Sequence, residues 1–81
     1  MKKIGKVTHY YGNIGVAIIE LSGKLSVGDK VKFSHGDKEF EQTIDSMQME
    51  HKDIDSAKKG DVVGIKVGEK VGEGAEVSLV E

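Results

Sequence analysis

The sequence contains no cysteine, no proline, no tryptophan and no arginine. Without cysteine there is neither a disulfide framework nor a thiolate-ligated zinc to supplement a core, and no thiol nucleophile. Without arginine, all 12 basic residues are lysine. The planar fork that reads guanine edges and clamps phosphates is therefore missing, which argues against base-specific reading of duplex DNA. Long apolar runs are missing too. Val16-Ala17-Ile18-Ile19 is the longest, far too short for a signal-peptide core or a membrane span. No membrane partner is expected, and the chain is expected to be cytoplasmic. Charge of one sign is also scarce: 14 acids against 12 bases leave a net −2, unlike the footprint of a strongly basic nucleic-acid binder.

What is present is glycine, valine and isoleucine. Glycine stands at 11 of 81 residues, about twice its usual share. The β-branched residues come in short runs between glycines, the pattern of short strands joined by turns. Strand one is read as Ile4 to about Tyr11, and strand two as Ile14 to Leu21, with apolar residues on both parities. A strand of that kind is covered on both faces or changes sides partway. Strand three, about Asp29 to Ser34, alternates Val31 and Phe33 with Lys30 and Lys32. His35-Gly36-Asp37 forms a hairpin turn into strand four, which starts with Phe40 and Ile44 on one face. Met47 and Met49 fall on the opposite parity, so a bulge is expected near Asp45-Ser46. His51 to Lys59 is polar and is read as a loop or a single helical turn, with Asp53 or Asp55 as cap. Strands five (Asp61 to Val67) and six (about Ala75 to Val80) complete the set. The expected fold is all-β, a small closed six-stranded barrel with at most one short helical turn, occupying residues 1–81 as a single domain. Met1 and the full strand set lead to the expectation of a whole gene product. So short a chain buries about 60–65% of the surface its unfolded form exposes.

One local pattern recurs. Leu25-Ser26-Val27-Gly28-Asp29-Lys30-Val31 returns loosely as Ala57-Lys58-Lys59-Gly60-Asp61-Val62-Val63 and as Val71-Gly72-Glu73-Gly74-Ala75-Glu76-Val77. Each copy precedes a strand. The glycine suits a turn position with positive φ, and the apolar residue three before it plugs the turn onto the core. No copy leads into a helix or ends in the Gly-Lys-Ser/Thr of a nucleotide loop, so the frame is read as architecture.

Catalytic and metal motifs are absent from the sequence pattern. His9, His35 and His51 are scattered without metal spacing. His51-Lys52-Asp53-Ile54-Asp55 lacks the glycine and the closing glutamate of a calcium loop. The serines stand in no nucleophile motif, and no pair of carboxylates can be singled out. No enzyme activity, cofactor or metal is expected. Of Tyr10 and Tyr11, adjacent on a strand, one faces inward; the other could stack a base or cover surface.

With those elements in order, the chain resembles the second domain of translational GTPases, the β-barrel that follows the nucleotide-binding domain in elongation factor Tu and bacterial initiation factor two. Those domains read approximately Gly-x-Val-Ala, then Gly-x-x-Lys-Val-Gly-Asp-x-Val. Here Ile14-Gly15-Val16-Ala17 is followed, a few residues on, by Gly23-Lys24-Leu25-Ser26-Val27-Gly28-Asp29-Lys30-Val31. A later Met-containing motif matches Met47-Gln48-Met49-Glu50-His51-Lys52-Asp53-Ile54, then Asp61-Val62-Val63-Gly64, without a gap. The resemblance implies a Greek-key barrel and contact with RNA, tRNA or the ribosome. A similar barrel is attached, as an accessory domain, to a family of collagenase-like peptidases.

In elongation factor Tu this domain helps hold the aminoacylated end of tRNA. The residues implied for that pocket are Val16, Gln48, His51 and Val62; Lys6, Lys52, Lys58, Lys59 and Lys66 are expected to flank the same face. Only Val16 keeps the family's residue; Gln48 replaces glutamate, His51 arginine and Val62 asparagine. The sequence thus leads to a non-enzymatic translation-factor-like barrel with Val16, Gln48, His51, Lys52, Val62 and Lys66 as candidate nucleic-acid contacts and no bound nucleotide. The competing expectation is a protein-interaction or accessory module. The oligomeric state is left open.

Overall fold

The computed structural model describes residues 2–80. The chain forms β1 (Lys2–Tyr11), β2 (Val16–Leu21), β3 (Leu25–Ser26), β4 (Lys30–His35), β5 (Lys38–Thr43), β6 (Met47–Met49), β7 (Lys52–Ile54), β8 (Ser56–Ala57), β9 (Val62–Lys66) and β10 (Glu76–Leu79). The fold is all-β, and no helix occurs among the described residues. Eight strands pair antiparallel in the order β5-β4-β10-β1-β2-β9-β6-β7, and β3 pairs with β8 in a second, two-stranded sheet.

The alternation of side chains assembles the core. Ala17, Ile19 and Leu21 of β2, Val31 and Phe33 of β4, Val63 and Ile65 of β9 and Val77 of β10 are all buried. Each large one contributes about 1.5–3 kcal/mol through burial. Among the described residues no polar or charged residue is buried, so hydrophobic packing and backbone pairing carry the stability. The other parity of β2, Val16 and Ile18, is only half-buried. Strand two was expected to be covered on both faces or to change sides partway; it keeps one inward parity throughout, and its outer face is partly open.

The recurring glycine frame is one turn built three times. Leu25, Ala57 and Val71 are buried, each three residues before a glycine with φ of 97°, 94° or 89° (Gly28, Gly60 and Gly74). Asp29 N–H donates to Ser26 O at 3.1 Å, Asp61 N–H to Lys58 O at 3.0 Å and Ala75 N–H to Gly72 O at 3.2 Å. Glycine at the third position with that φ makes each a type II turn. In the first two, the aspartate carboxylate also accepts a backbone N–H, from Ser26 at 2.9 Å and from Lys58 at 3.0 Å. The turn glycines also donate to backbone carbonyls distant in sequence: Gly28 to Ile44 O, Gly60 to Leu21 O and Gly74 to Val7 O.

Three expectations need correction. Strand four does not run on through a bulge: it stops at Thr43, and β6 begins at Met47. Ile44, between them, is buried and bonds to the backbone of Asp29 and Gly28, so the change of face is absorbed by a break in the strand. The segment after His51 is neither loop nor helical turn, since it supplies β7 and β8. Met49 pairs with Lys52, leaving Glu50 and His51 as a two-residue hairpin turn with φ of 54° and 66°. Both residues with φ > 0 is the type I′ geometry that matches strand twist, and it is usually made with asparagine and glycine. Lastly, Ile14 lies in the β1–β2 turn and is 63% exposed.

A candidate interaction groove on the outer face

Residues directly opposite in an antiparallel pair project to the same face. Tyr11 opposes Val16 and His9 opposes Ile18 across β1 and β2. Val16 opposes Lys66, Ile18 opposes Gly64 and Glu20 opposes Val62 across β2 and β9. Gln48 of β6 also opposes Gly64. These pairings gather side chains from four strands onto the outer surface, away from the core.

The surface they form is hollow, enclosing a groove of about 570 Å³. Its apolar lining is Tyr11, Ile14, Val16, Ile18, Met49, Val62 and Val63. Tyr11 and Val62 are each 48% exposed, so the groove presents apolar surface directly to solvent. Gly64 lies beneath it: a Cβ there would stand 3.3 Å from Val16 Cγ1 and 3.4 Å from Ile18 Cδ1, so a side chain at this position would crowd Val16 and touch Ile18. The polar lining is Gln48, Glu50, His51 and Asp61, and no lysine lines the groove.

Local bonds set its rim. Gln48 Nε2 donates to Asp53 Oδ1 at 2.9 Å across the β6–β7 hairpin. The Tyr11 ring lies 4.4 Å from the His9 ring at 59°, and His9 Nδ1 is 2.9 Å from Glu73 Oε2. The type I′ turn aims Glu50 and His51 at one end of the groove. For residues other than glycine, left-handed backbone costs roughly 1–2 kcal/mol each, so this end of the groove is held at some cost to stability.

Four of the six residues singled out from the sequence, Val16, Gln48, His51 and Val62, line this one groove. Lys66 shares the face, opposite Val16, without lining it; Lys52 sits opposite Met49 and does not line it either. Sequence reasoning missed Ile14, Ile18, Met49, Glu50 and Asp61. The second apolar parity of strand two was the available signal for Ile18. Nothing in the sequence marked Glu50, because its placement depends on the β6–β7 pairing. Among the described residues no group of three His, Asp or Glu side chains could hold a metal ion.

Comparison with known proteins adds the following. Residues 15–78 match the family model described as elongation factor Tu domain 2. The chain is 39% identical over 80 residues to uncharacterized protease MJ0090 of Methanocaldococcus jannaschii, an alignment covering 98% of this chain and 20% of the protease. It therefore spans about one fifth of the length of that relative. Two crystal structures share the fold at 22% identity, both of the C-terminal domain of a "putative U32 peptidase" from Geobacillus thermoleovorans. One has a TM-score of 0.92 and covers 99% of this chain and 93% of its own; its selenomethionine variant has 0.91, 96% and 99%. The translation-factor resemblance thus holds at the level of the domain family, while these relatives are peptidase domains rather than translation factors.

Proposed function

The chain belongs to the elongation factor Tu domain 2 family, and from that premise we propose that it is a non-catalytic interaction module whose outer-face groove seats an apolar segment of a protein partner. The partner class is a peptidase of the U32 kind, to which the module is accessory. The observation that carries this reading is the composition of the groove: seven apolar side chains, the carboxylates of Glu50 and Asp61, and no lysine. An exposed apolar recess with a polar rim suits a protein segment, whereas a phosphate chain would meet two carboxylates. A length of one fifth of the protease relative is also in keeping with an accessory part, the catalytic groups belonging to the remainder.

In the same reading the sheet closes into the six-stranded Greek-key barrel, with β5 and β6 together forming one wall strand beside β1, β2, β4, β9 and β10. β5 ends the eight-stranded sheet at one side, and β6, only three residues further along the chain, pairs with β9 at the other. Gln42 of β5 supports that closure by donating from Nε2 to Lys66 O at 2.9 Å and accepting Gly68 N–H at 3.0 Å. The two sides of the groove then rest on a continuous wall.

The RNA, tRNA or ribosome contact implied by the family is the rival reading, with Lys66 beside Val16 as its supporting cation. One experiment separates them. The chain is titrated with a purified U32-type peptidase after nuclease treatment, and in parallel with tRNA at low salt. The Val62→Glu variant, at a half-exposed position, puts a charge in the groove with little effect on folding. Peptidase binding that survives nuclease and weakens at least about tenfold in Val62→Glu is expected, as for an interface hot spot. Saturable, salt-sensitive tRNA binding without peptidase binding would overturn the proposal.

A further inference from the structure

The β4–β5 hairpin carries a second, separate cavity of about 270 Å³. Val31 and Phe33 of β4 are buried, and His35 follows on the same parity. The register places Phe40 opposite Phe33 and Lys38 opposite His35, so these four side chains share one face. Phe33 is buried in the core and Phe40 only half-buried, their rings stacked with centroids 5.0 Å apart at 21°. The segment after β9 supplies the facing wall with Lys70, Val71, Gly72 and Ala75. A Cβ on Gly72 would lie 2.9 Å from the His35 ring, so the imidazole packs directly on that backbone and fixes the cavity's side.

The charge here is opposite to that of the outer-face groove. Lys38 and Lys70 line the cavity, and no carboxylate does. The ion pairs among the described residues use Lys3, His9, Lys30 and Lys32, leaving both cavity lysines without an acidic partner there. The volume falls below the roughly 300–1,000 Å³ of sites for drug-sized ligands, so one ring or branched side chain fits. Val71 and Ala75 are buried beneath it, and Phe40 offers an aromatic surface for a flat group.

We propose that this cavity binds a small oxyanion, carboxylate or phosphate, borne by a flat apolar group. The apolar group lies against Phe40, Val71 and Ala75, and the anion meets Lys38 and Lys70. Lysine ammonium groups act as point charges, without a bidentate fork, so the site selects charge and size rather than one oxyanion geometry. This assignment stands whether or not the outer-face groove seats a protein.

The test is an amide-resolved NMR titration of the chain with N-acetylphenylalanine, with its uncharged primary amide, and with phenyl phosphate. Saturable shifts at Lys38, Phe40, Lys70 and Gly72 are expected with the two anions. Lys38→Gln and Lys70→Gln should each weaken them roughly two- to fivefold, the range of an exposed ion pair. Tighter binding of phenyl phosphate assigns the phosphate source, and tighter binding of N-acetylphenylalanine the carboxylate. Equal binding of the acid and its amide would overturn the proposal. So would shifts centred on Val16 and Val62, or none that saturate. Both lysines are exposed, and unchanged spectra of the free variants check that the fold is intact.

Discussion

Replacing Glu50 by asparagine and His51 by glycine separates strain from function at the groove. The two residues have φ of 54° and 66° with no glycine between them. The β4–β5 hairpin at the opposite edge of the sheet is less strained: its two-residue turn joining His35 to Lys38 has positive φ only at its first position, where Gly36 stands at 62°. Left-handed backbone costs a side-chain-bearing residue roughly 1–2 kcal/mol, and asparagine and glycine relieve most of it. Against this, glycine adds about 0.5–1 kcal/mol of chain entropy lost on folding. The net expectation for Glu50→Asn with His51→Gly is a gain of about 1–2 kcal/mol. A domain of this length has on the order of 4–12 kcal/mol in total, so the gain is measurable. It should raise Tm by roughly 4–15 °C and move the urea midpoint upward at constant m-value. Partner binding should weaken at the same time, because both side chains line the groove. Unchanged or lowered stability would refute the assignment of strain to this turn, and stability gained with binding intact would remove Glu50 and His51 from the interface.

Further outcomes follow from the same contacts. Gln42→Ala removes both hydrogen bonds to the β9 end and should cost about 1–3 kcal/mol, with faster amide exchange at Gly68 as its local signature. Gly28→Ala meets no atom within 4 Å and so tests backbone strain alone; a loss of about 1–3 kcal/mol is expected, whereas D-alanine introduced there by synthesis should be tolerated. Phe33→Ala, at a side chain 2% exposed, should cost about 3–5 kcal/mol in a urea melt; a cost below that of Gln42→Ala would contradict its place at the centre of the core.

Much of the architecture was legible because it rests on local chemistry. Val31 and Phe33 alternate with lysines and are buried as expected. The turn frame was legible three times over, because a type II turn needs glycine at one position and an apolar anchor close by in sequence. Less legible were β7 and β8: Lys52-Asp53-Ile54 has little strand propensity of its own and is a strand because Met47–Met49 lies beside it. The same pairing hid the strained turn at Glu50 and His51. Strand propensity depends on what an element packs against more than on its own residues.

The sequence by itself determined the all-β class, the launching turns and the inward parity of the long strands, since these follow from backbone sterics and the two-residue period of a strand. Val16, Gln48, His51 and Val62 were also reached from sequence, through motif order. Tertiary structure decided what those residues face. The register of β2, β9 and β6 joins Val16 and Ile18 to Val62 and leaves Lys52 and Lys66 off the groove walls. The tertiary structure also brings the β4–β5 hairpin against the segment after β9, making a cavity with two lysines. Spacing along the chain carries no information about such meetings, because they depend on non-local pairing and on which way each face turns.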